Sequence, residues 1–166
     1  IFTKNASQWS APPLAADVVA RFRAELERSG IDPVVSHDSY LINLASADPA
    51  LRQRSIDAFL DELARAEALG LLGVVAHPGA HLGHGEAAGL ERIGEALRTV
   101  LKATCRQKVM ILIENTAGQG TVLGASFAHL ARLVELTDGH PRLGVCLDSC
   151  HLHAAGYDLT TDAGYS

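Results

Sequence analysis

Val109-Met110-Ile111-Leu112-Ile113-Glu114-Asn115-Thr116-Ala117-Gly118-Gln119-Gly120 is an unbroken apolar run that ends on a carboxylate and opens into a polar, glycine-rich loop. Three other runs share its grammar. Val34-Val35-Ser36 ends on His37, Val74-Val75-Ala76 ends on His77, and Val145-Cys146-Leu147 ends on Asp148 with His151 three residues on. Short continuous apolar runs read as strands buried on both faces, which belong to parallel sheets covered by helices. In a βα-barrel all strands point one way, so their carboxyl ends meet on one face. Four such ends would gather imidazoles and carboxylates around a single pocket.

The segments between the runs carry helical patterns. Leu14 to Ser29 spaces Leu14, Val18, Phe22 and Leu26 along one face, and Gly30 is a stop signal. Asp48-Pro49 predicts an N-cap followed by proline in the first turn, with a helix running to Leu69 and ending at Gly70. Its apolar face is Ile56, Phe59, Leu60 and Leu63. Leu90, Ile93, Leu97, Val100 and Leu101 mark a third helix, and Phe127, Leu130, Leu133 and Val134 a fourth, opened at or near Ser126. Strand and helix alternate, the signature of an α/β parallel sheet. Loops after the strands (38–47, 78–85, 115–124) are longer than those before them, such as 30–33, which is the asymmetry of a functional face.

Four whole strands and the tail of another at Ile1 to Thr3 fall short of the eight strands and roughly 250 residues of a closed barrel. The reading is therefore a partial TIM-type (β/α) barrel forming one domain over 1–166, with an open five-stranded α/β sheet as the structural alternative. The chain starts without an initiator Met and stops at Asp162-Ala163-Gly164-Tyr165-Ser166, which is expected to be loop.

Composition narrows the class. A chain of 166 residues with 48% hydrophobic content can bury a sizeable core. No apolar run approaches membrane-spanning length, and the first residues lack the order of a signal peptide. Three cysteines do not make a disulfide framework and fit a reducing compartment, so a cytoplasmic protein is expected. Cys146 is expected in a buried strand and Cys150 in packing. The net charge of −5 does not advertise nucleic-acid binding, although divalent ions in a carboxylate-lined pocket would reverse the field there. His84, His129, His140 and His153 lack a comparable context and read as surface or structural. Gly118 and Gly120 lack the lysine and hydroxyl of a phosphate loop and fit a tight turn instead.

Neutral imidazoles and carboxylates are good zinc ligands, and a carboxylate can bridge two ions. The runs His37-Asp38-Ser39-Tyr40-Leu41-Ile42-Asn43-Leu44, His77-Pro78-Gly79-Ala80-His81, Glu114 to Gly120 and Cys146-Leu147-Asp148-Ser149-Cys150-His151 together resemble the endonuclease IV family of apurinic/apyrimidinic endonucleases. The resemblance runs from Ile1-Phe2-Thr3-Lys4-Asn5 through Asp158. It implies a TIM barrel of which this chain covers strands two to six, with three zinc ions at the carboxyl face. It makes His37 and His77 ligands of one zinc and Glu114 the catalytic carboxylate bridging to a second. Asp148 falls on a ligand of the second zinc and His151 on a ligand of the third; the other family ligands fall beyond Ser166. Gln8 and Tyr40 fall on positions that enter DNA at the lesion. His81 falls where it would support the ligands from behind. Ser7 stands where the family often carries an arginine, and serine cannot wedge a duplex or pair with phosphate as arginine does.

The implied activity is zinc-dependent hydrolysis, through metal-activated water, of the phosphodiester 5′ to an abasic site in double-stranded DNA during base excision repair. The implied enzyme is a monomer when intact, and the isolated piece is expected to be inactive. Two other readings compete: a single-metal sugar isomerase or epimerase on a related barrel, and a non-catalytic truncated product.

Overall fold

A computed structural model describes residues 1–165. The elements alternate as α1 (Ala16–Ser29), β1 (Val35–His37), α2 (Pro49–Leu69), β2 (Gly73–Ala76), α3 (Glu86–Ala103), β3 (Met110–Glu114), α4 (Phe127–Leu136), β4 (Leu143–Cys146), α5 (Ser149–Ala154) and α6 (Asp162–Tyr165). The four strands pair in parallel and in sequence order, β1-β2-β3-β4. An open doubly wound sheet reverses its strand order at a switch point. This sheet does not, and α1 to α4 pack each against the next, so the arrangement is a section of barrel wall with its outer helices.

Local chemistry sets the helix ends. The Asp48 carboxylate accepts from the backbone N–H of Ala50 at 2.8 Å, and Pro49 follows at the position where a missing N–H does no harm. Ser126 accepts from His129 N–H at the start of α4. Gly30 and Gly70 end α1 and α2 in the left-handed conformation. At the opposite end of the sheet from the loops of interest, the Glu67 carboxylate accepts from both Lys108 and Val109 N–H at 2.9 Å, which fixes where β3 begins.

The core lies between the sheet and the helices. Phe59 and Leu63 of α2, Ile93, Leu97 and Val100 of α3, and Val74 and Ile111 are fully buried. Register then dictates the other face. His37 pairs with Val75, Val75 with Leu112 and Leu112 with Gly144, so these residues share the inner side. Glu114, two residues beyond Leu112, shares it too.

Several expectations are corrected. In α1 Val18 is 39% exposed and Val19 takes the inward position beside Phe22, so this helix presents a shifted stripe. The segment at Ile1 to Thr3 contributes a single bridge, Phe2 to His37, rather than a strand. β4 begins at Leu143, two residues early, because Ile111 N–H already bonds Arg142 O. Val145 is 41% exposed, not buried, since β4 is the edge of the described sheet. Cys150 is exposed rather than packed. Residues 162–165 form a helical turn where loop was expected. No helix among the described residues is long and apolar enough to cross a membrane.

Candidate metal centre

The carboxyl ends of β1, β2 and β3 bring His37, His77 and Glu114 together. The Glu114 Oε2 atom lies 3.2 Å from His37 Nε2 and 2.9 Å from His77 Nε2. Its other oxygen lies 3.7 Å from His151 Nδ1. Two groups of donor atoms result, each within 4.8 Å of one another: His37, His77 and Glu114, then Glu114, Asp148 and His151. All five sequence-predicted ligands converge, and Glu114 belongs to both groups.

Asp148 reaches the cluster differently from expectation. It is not a strand end but the N-cap of α5, accepting from His151 N–H at 2.8 Å, so the turn itself aims both residues into the pocket. Asn115 holds that turn. Its side-chain oxygen accepts from Asp148 N–H at 2.6 Å, its amide donates to Asp148 O at 3.2 Å, and its backbone carbonyl faces His151 Nδ1 at 2.9 Å. Nothing in the apolar pattern singles out Asn115; its place immediately after Glu114 was the available signal.

Tautomers follow from these contacts. His37 Nδ1 lies 3.0 Å from the carbonyl of Asp38, which can only accept, so Nδ1 carries the proton. In the neutral ring Nε2 is then a lone pair aimed at a carboxylate oxygen. Two acceptors face each other unless a proton or a cation stands between them. Without a cation, protonation resolves the clash. Burial opposes charge on His37, but its hydrogen bonds to Glu114 and the Asp38 carbonyl outweigh this and raise its pKa above 6.5. Burial likewise pushes Glu114 up, while His37 and His77 pull it down from 4.5 to about 2. Asp38, 3% exposed behind His37, is held well above the usual carboxylate range, first by burial.

These shifts set a pH profile for the metal-free chain. The Glu114 contribution is complete above about 4.5 and is lost as pH falls toward about 2; the His37 contribution is complete below 6.5 and is lost as pH rises through its raised value. Stability from this pair is therefore expected to peak between 4.5 and 6.5. Urea midpoints measured in chelator across pH 3 to 9 check it, and a midpoint that climbs steadily through pH 8 would contradict it.

The rim is aromatic. Tyr40 is 62% exposed, with its ring 5.4 Å from that of His37 and 6.2 Å from that of His77. It borders a cavity of about 220 Å³ lined by Asp38, Ser39, Asn43, His77 and Gly79. Asn43 ties two loops together by accepting from Ala45 and Ala80 N–H and donating to Ala80 O. Gly79, at φ 122°, leaves space that a Cβ would take from the Asn43 side-chain oxygen. Gln8 is exposed on the neighbouring 3–12 segment. The backbone N–H of His81 bonds the Thr121 carbonyl, its Cβ lies against Gly89, and its Nδ1 is buried without a partner. His129 is structural, bonded to Glu86 and Gly124.

Proteins similar to this chain include some named as endonucleases and some named as sugar epimerases. The chain is 53% identical over 165 residues to a protein of Chloroflexus aurantiacus named "Probable endonuclease 4", covering 99% of this chain and 58% of the relative. The crystal structure of endonuclease IV from Thermus thermophilus superimposes with a TM-score of 0.81 at 39% identity, over 98% of this chain and 56% of that one. A D-tagatose 3-epimerase-like protein shares the fold, with a TM-score of 0.71 at 20% identity over 86% of this chain and 54% of that one. The chain thus spans somewhat over half the length of these relatives. Residues 1–165 match the model of the xylose isomerase-like TIM barrels, and the chain belongs to that family.

Proposed function

We propose that this chain supplies the first two ion sites of a zinc-dependent endonuclease that hydrolyses the phosphodiester 5′ to an abasic site in duplex DNA. The observation that carries the reading is the position of Glu114 between two donor groups. Zinc fits that donor set: imidazole nitrogens and carboxylate oxygens, with His37 Nε2 turned as a lone pair toward Glu114. Bound there, zinc ions would lower the pKa of a water molecule toward neutrality and neutralise charge on a phosphate.

The chain's own residues do the positioning. His37 holds its proton on Nδ1 against the Asp38 carbonyl, which leaves Nε2 free to bind. The Asp148 cap and the Asn115 carbonyl orient His151. Tyr40 stands at the rim, where an aromatic face can stack on an unpaired base or fill the gap left by a missing one. Opening the duplex costs least where no base must be unpaired, which favours an abasic site. The activity is proposed for a polypeptide that also carries the rest of the relatives' length, in the cytoplasm where such a substrate lies.

A single-ion sugar epimerase would use only the Glu114, Asp148 and His151 group, and the separate His37–His77 pair argues against it. The test is binding of a 21-base-pair duplex by the polypeptide that carries this chain together with the rest of the relatives' length. Zinc is expected to raise affinity for a duplex with one tetrahydrofuran abasic analogue by at least about tenfold over the intact duplex, with chelator abolishing the difference. Equal affinity for both duplexes with zinc present would sink the proposal. Because binding requires neutral imidazoles, stabilisation by zinc should grow from pH 5 to 8, opposite to the metal-free trend above 6.5.

A further inference from the structure

The segment from Thr3 to Pro12 is a compact loop whose two feet are joined by one buried side chain. Arg65, on α2 and 7% exposed, donates from Nη2 to the carbonyl of Thr3 at 2.9 Å and from Nη1 to the carbonyl of Pro12 at 3.0 Å. A planar guanidinium can bridge two acceptors in fixed geometry, whereas an ammonium serves as a point donor. The first foot is secured further. Lys4, with a side chain 1% exposed, reaches Asp61 at 2.7 Å and Glu62 at 3.4 Å, and Thr3 Oγ1 donates to Glu62 at 2.8 Å. The tip is tied to the metal rim: the Ala6 carbonyl accepts from Ser39 Oγ at 2.8 Å and from Tyr40 N–H at 2.9 Å. Ser7 and Gln8 remain exposed beside Tyr40's loop.

A buried arginine is destabilising unless its donors find partners; here both terminal amino groups are committed to loop carbonyls, while Nε is buried without a partner. Short loops closed at the feet and packed by their own side chains are compact Ω-type structures that often carry function. We infer that Arg65 is a positioning residue for duplex recognition: by stapling both feet of the 3–12 loop it presents Ser7 and Gln8 next to Tyr40 in one fixed arrangement, without touching the substrate. The inference rests on the nuclease reading for the identity of the ligand. Its physical basis is that a loop ordered in advance does not lose that freedom on binding.

The test compares the same longer polypeptide as wild type, Arg65→Met and Arg65→Lys. Amide exchange of residues 5–11, zinc stoichiometry by titration, and affinity for the tetrahydrofuran duplex are measured on each. In Arg65→Met, exchange at Ser7 and Gln8 is expected to accelerate and duplex affinity to fall by about tenfold, with zinc stoichiometry unchanged. Arg65→Lys, which keeps the charge and can reach one foot, is expected to lie between and guards against a simple packing defect in the methionine variant. Wild-type duplex affinity in both variants, or unaltered exchange in the loop, overturns the role of Arg65. Loss of zinc in parallel with loss of affinity also overturns it, since the effect would then be global. A wild-type polypeptide that binds no duplex overturns the nuclease reading instead, while the exchange data still decide whether Arg65 holds the loop.

Discussion

Glu114→Gln is expected to abolish binding of both ions at once. The carboxylate is 6% exposed and sends one oxygen to the two histidines and the other toward His151, so each donor group contains it. Glutamine keeps the shape but removes the charge that makes a bridging ligand strong. Affinity for zinc should drop by at least about 100-fold at both sites, because two cations without a shared anion also repel each other. The controls give the result its meaning. His77→Ala should remove only the ion of the first group, and His151→Ala only that of the second. Calorimetric titration with zinc distinguishes these patterns. A Glu114→Gln chain that still takes up one ion tightly would show that the groups are independent and would remove the basis for a bridged centre.

Asn115→Ala has the second largest expected effect, and it should split the centre. Asn115 is 1% exposed and makes both available hydrogen bonds to the backbone of Asp148. Alanine leaves the half-buried Asp148 N–H without its partner, while the Asp148 carbonyl keeps Leu152 N–H; the loss costs about 1–2 kcal/mol. The turn that aims Asp148 and His151 loses its side-chain tie to the end of β3 and keeps only the Asn115 carbonyl facing His151, so the second ion should be lost. The His37, His77 and Glu114 group is held at the carboxyl ends of β1, β2 and β3 and should keep its ion. Urea unfolding of the metal-free chain reports the first effect and zinc stoichiometry the second. A stability change below about 0.5 kcal/mol, or retention of both ions, would mean that the cap alone positions the turn.

Much of this was legible in the residues. Strand ends are where an apolar run meets a polar loop, and His37, His77 and Glu114 sit at those boundaries, so position along the run told which face they reach. Asp48-Pro49, Ser126, Gly30 and Gly70 carry their own stereochemistry and appeared where expected. What was hidden depends on partners distant in sequence. Val18 and Val19 are equivalent in a helical pattern, and only the docking surface of α2 selects Val19. Nothing in the sequence pattern singles out Lys4, Glu62 and Arg65, since charged residues are seldom buried; partners about 60 residues away in the chain are what allow their burial. Asp148 resembled a strand end because capping geometry leaves little trace in hydropathy.

The sheet order β1-β2-β3-β4 has a consequence for biosynthesis. From His37 through His77 and Glu114 to Asp148, each donor lies one strand–helix unit after the last, and neighbours in the chain are neighbours in the wall. A growing polypeptide that has released Glu114 from the ribosome already holds every member of the first donor group, before Asp148 and His151 have been made. Domains acquire structure from the amino terminus as they emerge. A cation captured at that stage would rivet three adjacent strands together during translation, and the later turn would then dock against a carboxylate already fixed in place.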